Sequence, residues 1–118
     1  MELLFQETKS FEKDLRKLPE KIKEKVINSI NEQGQSFSEK QIQDSRKIKR
    51  LSQGNHYLNS DSSLYELKVD PRTRVILSID DDPLFDQVIF TLYRIVSPND
   101  LQVALKNINE ALYQRSKN

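Results

Sequence analysis

The sequence predicts an α+β protein: an antiparallel sheet of about four strands, with an N-terminal helical hairpin and a C-terminal helix packed on it. The first observation is the stretch 64–96, LYELKVDPRTRVILSIDDDPLFDQVIFTLYRIV, which contains three successive strand-like segments separated by turn residues. The second is that amphipathic helical patterns precede and follow it, and such helices must bury their apolar stripes on another element. At 118 residues the chain is expected to form one domain, spanning residues 1–118.

Composition excludes several kinds of site. The chain has no cysteine, which removes disulfides, thiolate metal ligands and cysteine nucleophiles. Its formal net charge is +1, but residues 1–50 hold 12 Lys and Arg against 9 Asp and Glu, so a local basic patch is allowed. The N-terminal apolar run is too short for a signal peptide, and no segment has the length and hydropathy of a membrane span. We therefore expect a cytoplasmic protein that does not contact a membrane.

The N-terminal part predicts a strand followed by two helices. Residues 2–6 form a short apolar strand that we expect to pair with the later sheet. A helix capped by Ser10 follows, and Pro19 ends it because the residue before a proline is pushed out of helical geometry. A second helix over 20–33 is expected to end at Gly34, as a left-handed C-cap. The apolar stripes of the two helices consist of Phe11, Leu15, Leu18, Ile22, Val26, Ile27 and Ile30.

Residues 35–63 predict only a loose connection. It contains the run 46–50, RKIKR, in which four of five residues are cationic. Two interpretations of this run stay open: a solvated loop, or a patch that follows the phosphates of a nucleic acid beside the sheet. His56, the only histidine, is interpreted as an exposed loop residue.

Three strands and a helix make up the rest of the chain. In the strands 65–70 and 74–80 the apolar residues share one parity, so this hairpin is expected to have one polar face. The acidic residues 80–82 are expected to form a loop, and their pattern does not indicate a metal site. The strand 87–96 is apolar on both faces, which indicates a central strand covered on both sides. The final helix begins near 98–100, and its buried stripe is Leu101, Ala104, Leu105, Ile108 and Leu112.

The cations of the sheet are the candidate functional residues. Parity places Lys68 and Arg74 on the same polar side of adjacent strands, but it does not decide which side Arg94 reaches. One interpretation is structural: Lys68 and Arg74 form cross-strand ion pairs with nearby carboxylates, namely Glu66 and Asp70. Arg94 would then pair with the acidic loop. The other interpretation is a phosphate site, because the planar fork of arginine matches phosphate oxygens.

Three segments, together with the order of the elements, resemble the RelE/ParE toxin superfamily of bacterial type II toxin-antitoxin modules. They are FEKDLRKLPEKIKEKV at 11–26, LYELKVDPRTRVILSI at 64–79 and FTLYRIVSPNDL at 90–101. The resemblance implies a RelE/ParE-like fold and a toxin-like function. It also implies a cognate antitoxin protein as partner, the ribosome and messenger RNA as further partners, and neither a metal nor another cofactor.

For an RNA-cleaving member, the resemblance implies a metal-independent, ribosome-dependent mRNA endonuclease. Arg74 and Arg94 would contact the scissile phosphate and stabilise the charge of the transition state. Lys68 would orient or activate the attacking 2′-hydroxyl. Further RNA-binding contacts are expected from Arg46, Lys47, Lys49, Arg50 and Arg72.

The chain departs from the RNA-cleaving pattern in three places. Asp70 stands where those members have a second lysine, and Tyr93 stands where many have a histidine. No tyrosine or histidine lies near Asp100 and Leu101 to act as an acid or base. Three functions therefore stay open: an RNA endonuclease with intact or degraded catalysis, a non-nucleolytic ParE-like toxin directed at gyrase, and an inactive module that only binds an antitoxin.

Overall fold

A five-stranded sheet with helices on both faces forms the described part of the chain, which in this computed structural model comprises residues 2–40, 46–51 and 64–117. The elements in chain order are β1 Glu2–Glu7, α1 Lys9–Arg16, α2 Glu20–Lys40, β2 Ile48–Arg50, β3 Leu64–Asp70, β4 Thr73–Asp82, β5 Gln87–Val96, a single 3₁₀ turn Pro98–Asp100, and α3 Leu101–Lys117. The strand order is β1-β5-β4-β3-β2, and only the β1–β5 pair is parallel among these described strands. The α+β prediction is confirmed, with one strand more than expected.

The additional strand is β2, which lies in the segment predicted to be a loose connection. Ile48 lies opposite Leu67 of β3 and is buried, whereas Lys49 and Arg50 are exposed. A segment with one apolar residue in three has no alternating pattern of its own, so pairing with β3 decides its conformation. The expectation of a loop over 48–50 is therefore wrong.

Each face of the sheet buries its own apolar cluster. The larger cluster lies under α1 and α2 and consists of Phe11, Val26, Ile30, Ile48, Leu67, Val75, Leu77, Ile79, Val88, Phe90, Leu92 and Ile95. The smaller lies under α3 and consists of Leu51, Leu64, Ile76, Leu101, Ala104, Leu105 and Ile108. The stripe predicted for α3 and the two-sided burial predicted for β5 are thus confirmed. The polar face predicted for the β3–β4 hairpin is wrong in part, because α3 buries its stripe on Leu64 and Ile76 of that face.

The first helix is capped by Thr8 and not by Ser10. The Thr8 hydroxyl accepts a hydrogen bond from the Phe11 N–H at 3.2 Å, and the Thr8 N–H donates to the Leu92 carbonyl at 3.1 Å. Thr8 is the first residue after β1, so its backbone still pairs with β5 while its side chain begins α1. This arrangement fixes the direction in which α1 leaves the sheet.

The second helix does not end at Gly34 but continues to Lys40. Gly34 is buried against β1, and a Cβ at this position would lie 2.8 Å from Leu3 Cδ2 and 2.9 Å from Phe5 Cζ. Glycine is therefore used here for close approach of a helix to a strand, and the predicted left-handed cap is wrong. Neither α2 nor any other helix in the described ranges is long and apolar enough to cross a membrane.

The acidic segment belongs to a strand and not to a loop. Asp80, Asp81 and Asp82 continue β4 and lie opposite Ile89, Val88 and Gln87 of β5. Pairing with a strongly apolar strand outweighs the low strand preference of aspartate. Only residues 83–86 form the turn between the two strands.

Candidate functional site

A cationic depression, which we call the basic hollow, lies on the α3 face of the sheet where β2, β3 and β4 meet. Strand register assembles it, because Lys49 lies opposite Glu66 and Lys68 lies opposite Arg74. Residues paired in this way point to the same face of a sheet. The hollow has a volume of about 240 Å³ and is lined by Arg46, Lys47, Ile48, Lys49, Glu66, Lys68 and Arg74.

Glu66 lies at the centre of the basic hollow and is only 8 % exposed. Its Oε2 accepts a hydrogen bond from Arg74 Nε at 3.0 Å, and its Oε1 lies 3.6 Å from Lys49 Nζ. Oε1 has no hydrogen-bond partner among the described residues. A buried carboxylate needs such cationic neighbours, since an unpaired charge is costly away from water. Glu66 thus holds Arg74 in place and still presents one oxygen without a hydrogen bond.

The charge of the basic hollow is strongly positive. Among the residues that the structure describes, its lining holds five cations and one carboxylate. Lys47 is partly neutralised from outside by Glu32, at 3.6 Å between Nζ and Oε2. Lys68 is exposed, and no carboxylate of a described residue lies within ion-pair distance of it. Converging cations with few counter-charges attract phosphate groups, and such attraction weakens as salt rises.

The guanidinium of Arg74 is held on several sides. Besides its bond to Glu66, its Nη1 donates to the carbonyl oxygens of Asp70 and Thr73. The structural interpretation of Arg74 as the cross-strand partner of Glu66 is therefore confirmed, whereas no ion pair of Lys68 with either predicted carboxylate is formed. A guanidinium fixed in this way is pre-organised, so little side-chain freedom would be lost when it binds an anion.

Asp70 lies at the end of β3 beside this site. Desolvation acts to raise the pKa of Asp70, but hydrogen bonds from the Arg72 N–H and from Thr73 outweigh it. The charge of Lys25 also lowers the pKa, so the net result is a pKa below the ordinary value. Asp70 is thus an anion at neutral pH at the rim of the turn.

Arg94 lies in a different place from Lys68 and Arg74. Its Nε and Nη2 donate to the carboxylate of Asp14 on α1, at 2.7 and 3.3 Å. The same carboxylate accepts the Ile95 N–H at 2.9 Å. Arg94 lines a separate cleft of about 230 Å³ between the start of α1, β5 and α3. The prediction that Arg94 pairs with the acidic segment 80–82 is therefore wrong.

The predicted RNA-binding residues divide into two groups. Arg46, Lys47 and Lys49 line the basic hollow together with the predicted catalytic residues Lys68 and Arg74. Arg50, Arg72 and Arg94 do not line it: Arg50 lies opposite Tyr65 on the other parity of β2, and Arg72 lies in the exposed turn between β3 and β4. The structure therefore joins two cation sets that the sequence treated separately, the run 46–50 and the hairpin.

Asp14 and Glu32 contribute to these sites and were missed by sequence reasoning. Asp14 is the clearer case. It lies 80 positions from Arg94 along the chain, and an aspartate on the polar side of a helix has no local pattern that indicates such a contact. His56 lies outside the described residues. Within the described ranges, no three acidic or histidine side chains are grouped as metal ligands would be.

Comparison with known proteins supports the fold. No protein-family model matches the chain, and no curated protein matches its sequence significantly. Among solved structures, a chain of the archaeal RelE–RelB complex from Pyrococcus horikoshii OT3 has a TM-score of 0.57 at 15% identity, covering 82% of this chain and 96% of that chain. A chain of the toxin-antitoxin complex RelBE2 from Mycobacterium tuberculosis has a TM-score of 0.48 at 18% identity, covering 82% and 99%. A chain of the RelB–RelE complex from Methanococcus jannaschii has a TM-score of 0.44 at 21% identity, covering 84% and 94%. The first match shows a RelE-like fold, which confirms the fold that the three sequence segments implied.

Proposed function

We propose that this chain is the toxin-like component of a toxin-antitoxin pair and binds RNA in the basic hollow. The observation that carries the RNA part is the convergence of five cations from three segments around the one carboxylate of the described lining. Arg74 would contact the phosphate through Nη2 of its fixed guanidinium, because Nε and Nη1 already donate to Glu66, Asp70 and Thr73. Lys68 would add a mobile charge. Lys47 and Lys49 would extend the contact to neighbouring phosphates.

RNA cleavage is the finer part of this proposal. When a 2′-oxygen attacks the adjacent phosphorus and the bond to the 5′-oxygen breaks, negative charge develops on the phosphate oxygens. Lys68 and Arg74 are the cations that would meet this charge. Arg94 has no part in it, because its guanidinium is bound to Asp14 in another cleft.

RNA binding is tested with a fluorescent single-stranded RNA titrated at increasing salt. We expect an affinity that falls steeply with salt, and replacing Lys47, Lys49 and Lys68 together with alanine should reduce the salt slope by roughly 2, because each phosphate contact on a single strand contributes about 0.7. Lys21→Ala is the matched control, since Lys21 is an exposed cation of α2 outside the hollow. A flat salt response of the parent protein would reject the RNA part of the proposal.

Cleavage needs its own assay. The intact protein is incubated with messenger RNA in the presence and absence of translating ribosomes, and the 5′ ends of the products are mapped. We expect cuts that depend on ribosomes and disappear in Arg74→Ala. If RNA is bound in the hollow but stays intact in both conditions, the protein binds RNA without cleaving it.

The toxin-antitoxin part is supported by the RelE-like fold, seen in a chain of an archaeal RelE–RelB complex. We expect that induced expression arrests growth and that co-expression of the product of the neighbouring gene restores it. The same product should co-purify with the chain in equal amounts. Undiminished growth together with the absence of a copurifying partner would count against this part, independently of the RNA assays.

A further inference from the structure

The turn between β4 and β5 exposes two large apolar side chains next to each other. Leu84 is 83 % exposed and Phe85 is 68 % exposed, the two highest values among the large apolar residues that the structure describes. The pair lies at the end of a hairpin, where no other described element covers it. Adjacent apolar side chains that project into water in this way often mark a site of interaction, whereas scattered single ones do not.

The backbone of this turn is held in a defined shape. The Asp82 carboxylate accepts hydrogen bonds from the Leu84 N–H at 3.2 Å and from Gln87 Nε2 at 3.3 Å. The carbonyl of Asp86 accepts the Glu2 N–H at 2.9 Å, which ties the turn to β1. Asp86 has a φ of 51°, a left-handed conformation that aspartate tolerates better than most residues. The two apolar side chains are therefore presented by a fixed support.

The charge around the turn is entirely negative along the hairpin. Asp80, Asp81 and Asp82 precede the apolar pair in the sequence and Asp86 follows it, and the sequence contains no Lys, Arg or His between Arg74 and Arg94. Nucleic acids and anionic lipid surfaces would be repelled by these carboxylates. A basic protein surface would instead be attracted, because charge complementarity favours encounter between patches of opposite sign.

A second copy of the chain fits this turn less well. Among the described residues, the basic hollow of a second copy offers cations but only Ile48 as an apolar lining residue. The cleft beside α3 has apolar lining, but its Arg94 is already paired with Asp14. The hollow could match the carboxylates, but it lacks an apolar surface for Leu84 and Phe85. The occupant must offer both features at once.

We propose that residues 80–86 are a docking site for a basic protein partner. Leu84 and Phe85 insert into the surface of this partner as apolar anchors, and Lys and Arg residues of the partner face the aspartates of segment 80–86. This site lies at the opposite end of β4 from the basic hollow. Arg74 and Asp82 are eight residues apart on one strand, which corresponds to about 26 Å. RNA in the hollow and a protein at the turn can therefore be bound at the same time.

The test uses the intact chain and defined probes. An amphipathic helical peptide of leucine and lysine provides an apolar face with a cationic border, and the same peptide with glutamate in place of lysine is the charge control. We expect the leucine-lysine peptide to bind and the leucine-glutamate peptide not to bind, as measured by fluorescence anisotropy. Leu84→Ser combined with Phe85→Ser should weaken the lysine peptide by about tenfold, because two central anchors are removed.

Two further variants make the result specific. Val103→Ser removes an apolar side chain of α3 that is 64 % exposed, and it should leave peptide binding unchanged. Asp81→Asn combined with Asp86→Asn should weaken binding and reduce its salt dependence, and asparagine also tolerates the left-handed backbone at position 86. Thermal unfolding of all variants is expected to match the parent, since the altered side chains are exposed.

Several outcomes overturn the proposal. Equal binding of both peptides, or equal loss in the Val103 and the turn variants, would show that the apolar pair and its aspartates are not a specific site. Binding to phosphatidylglycerol vesicles that the double serine variant abolishes would make the turn a membrane contact. Self-association in sedimentation experiments that the same variant abolishes would assign the turn to a second copy of the chain. None of these outcomes bears on RNA binding in the basic hollow.

Discussion

Arg74 and Arg94 lie on the neighbouring strands β4 and β5, and the family resemblance implied that both contact one phosphate. Each is paired with a carboxylate, but the two pairs have different surroundings. Glu66, the partner of Arg74, belongs to a lining with four further cations, whereas Arg94 and Asp14 lie at the side of β5 beside α1. The comparison shows that two arginines predicted from motifs on neighbouring strands can have different surroundings, a cationic depression in one case and an isolated ion pair in the other.

The difference arises at the edge of β5. The β1 strand pairs with β5 only as far as Leu92, and the register between β4 and β5 shifts between Ile76 and Leu77. Beyond that point the Ile95 N–H lacks a strand partner on that side, and the carboxylate of Asp14 accepts it. Arg94 neutralises the Asp14 carboxylate, which accepts this otherwise unpaired N–H of β5. Arg74 instead pairs with Glu66 of the neighbouring strand β3, whose carboxylate accepts no described backbone N–H.

The largest expected effect is on stability at the Arg94 pair. Asp14→Ala removes the acceptor of the Ile95 N–H and the partner of Arg94, so the free energy of unfolding should fall by about 2 kcal/mol. Denaturant unfolding measures the change, with Glu12→Ala on the exposed side of α1 as the matched control. Equal stability of the two variants would show that the Asp14 contacts contribute little.

The next effect distinguishes the two arginines by ligand binding. Arg74→Ala should weaken single-stranded RNA binding by about tenfold at low salt, because a charge-assisted contact is lost. Arg94→Ala should leave the affinity nearly unchanged while it lowers the unfolding temperature. Equal losses of affinity in both variants would mean that the two arginines act on one phosphate after all, as the resemblance implied.

A smaller effect of opposite sign is expected at Glu66. Glu66→Gln keeps the shape and a hydrogen-bonding oxygen for Arg74 but removes the one negative charge among the described lining residues of the hollow. RNA affinity should therefore rise a few-fold, and the increase should vanish at high salt. Unfolding is measured in parallel, because the substitution also removes the counter-charge of Arg74. A lower affinity in a fully folded variant would contradict an electrostatic role for Glu66.

The smallest effect concerns pH at the Arg74 end of the hairpin. The folded chain holds the pKa of Asp70 below the 3.8 of the unfolded group, so the folded state gains stability when Asp70 is charged. This contribution is present above pH 3.8 and is lost as pH falls through the lower pKa of the folded state. Asp70→Asn keeps an acceptor for the turn, so its stability should fall less steeply than that of the parent below about pH 4. Identical pH profiles in acid denaturation would contradict this origin of the shift.

Some elements could be predicted because their pattern is local. The β5 segment is apolar at nearly every position, and α3 repeats apolar residues at helical spacing after a proline, so both were predicted within a residue or two. The β2 segment was not predicted, because three residues with two cations have no pattern and only pairing with β3 makes them a strand. The prediction for Gly34 was wrong for a related reason. Its missing side chain leaves room for Leu3 and Phe5 of β1, and it is not needed for a left-handed backbone at the end of the helix.

The candidate site could likewise be predicted only where it depends on a local pattern. Parity correctly placed Lys68 and Arg74 together, since alternation along adjacent strands is a local property of the backbone. Parity could not add Lys49 to them, because that required the strand that the sequence did not show. It also could not place Arg94, because the register shift in β5 and the contact with Asp14 of α1 both depend on tertiary packing.

The sequence by itself determined the order of the helices and of every described strand except β2, the apolar stripes that pack them, and the neighbourhood of Lys68 and Arg74, because each of these depends on periodicity within a few residues. Only the tertiary structure decided that Arg46, Lys47 and Lys49 join that pair, that Glu66 binds Arg74 and leaves Lys68 without an ion pair to it, and that Arg94 belongs to another cleft. These contacts join residues distant in sequence, and their energy depends on distances and burial that no local pattern specifies.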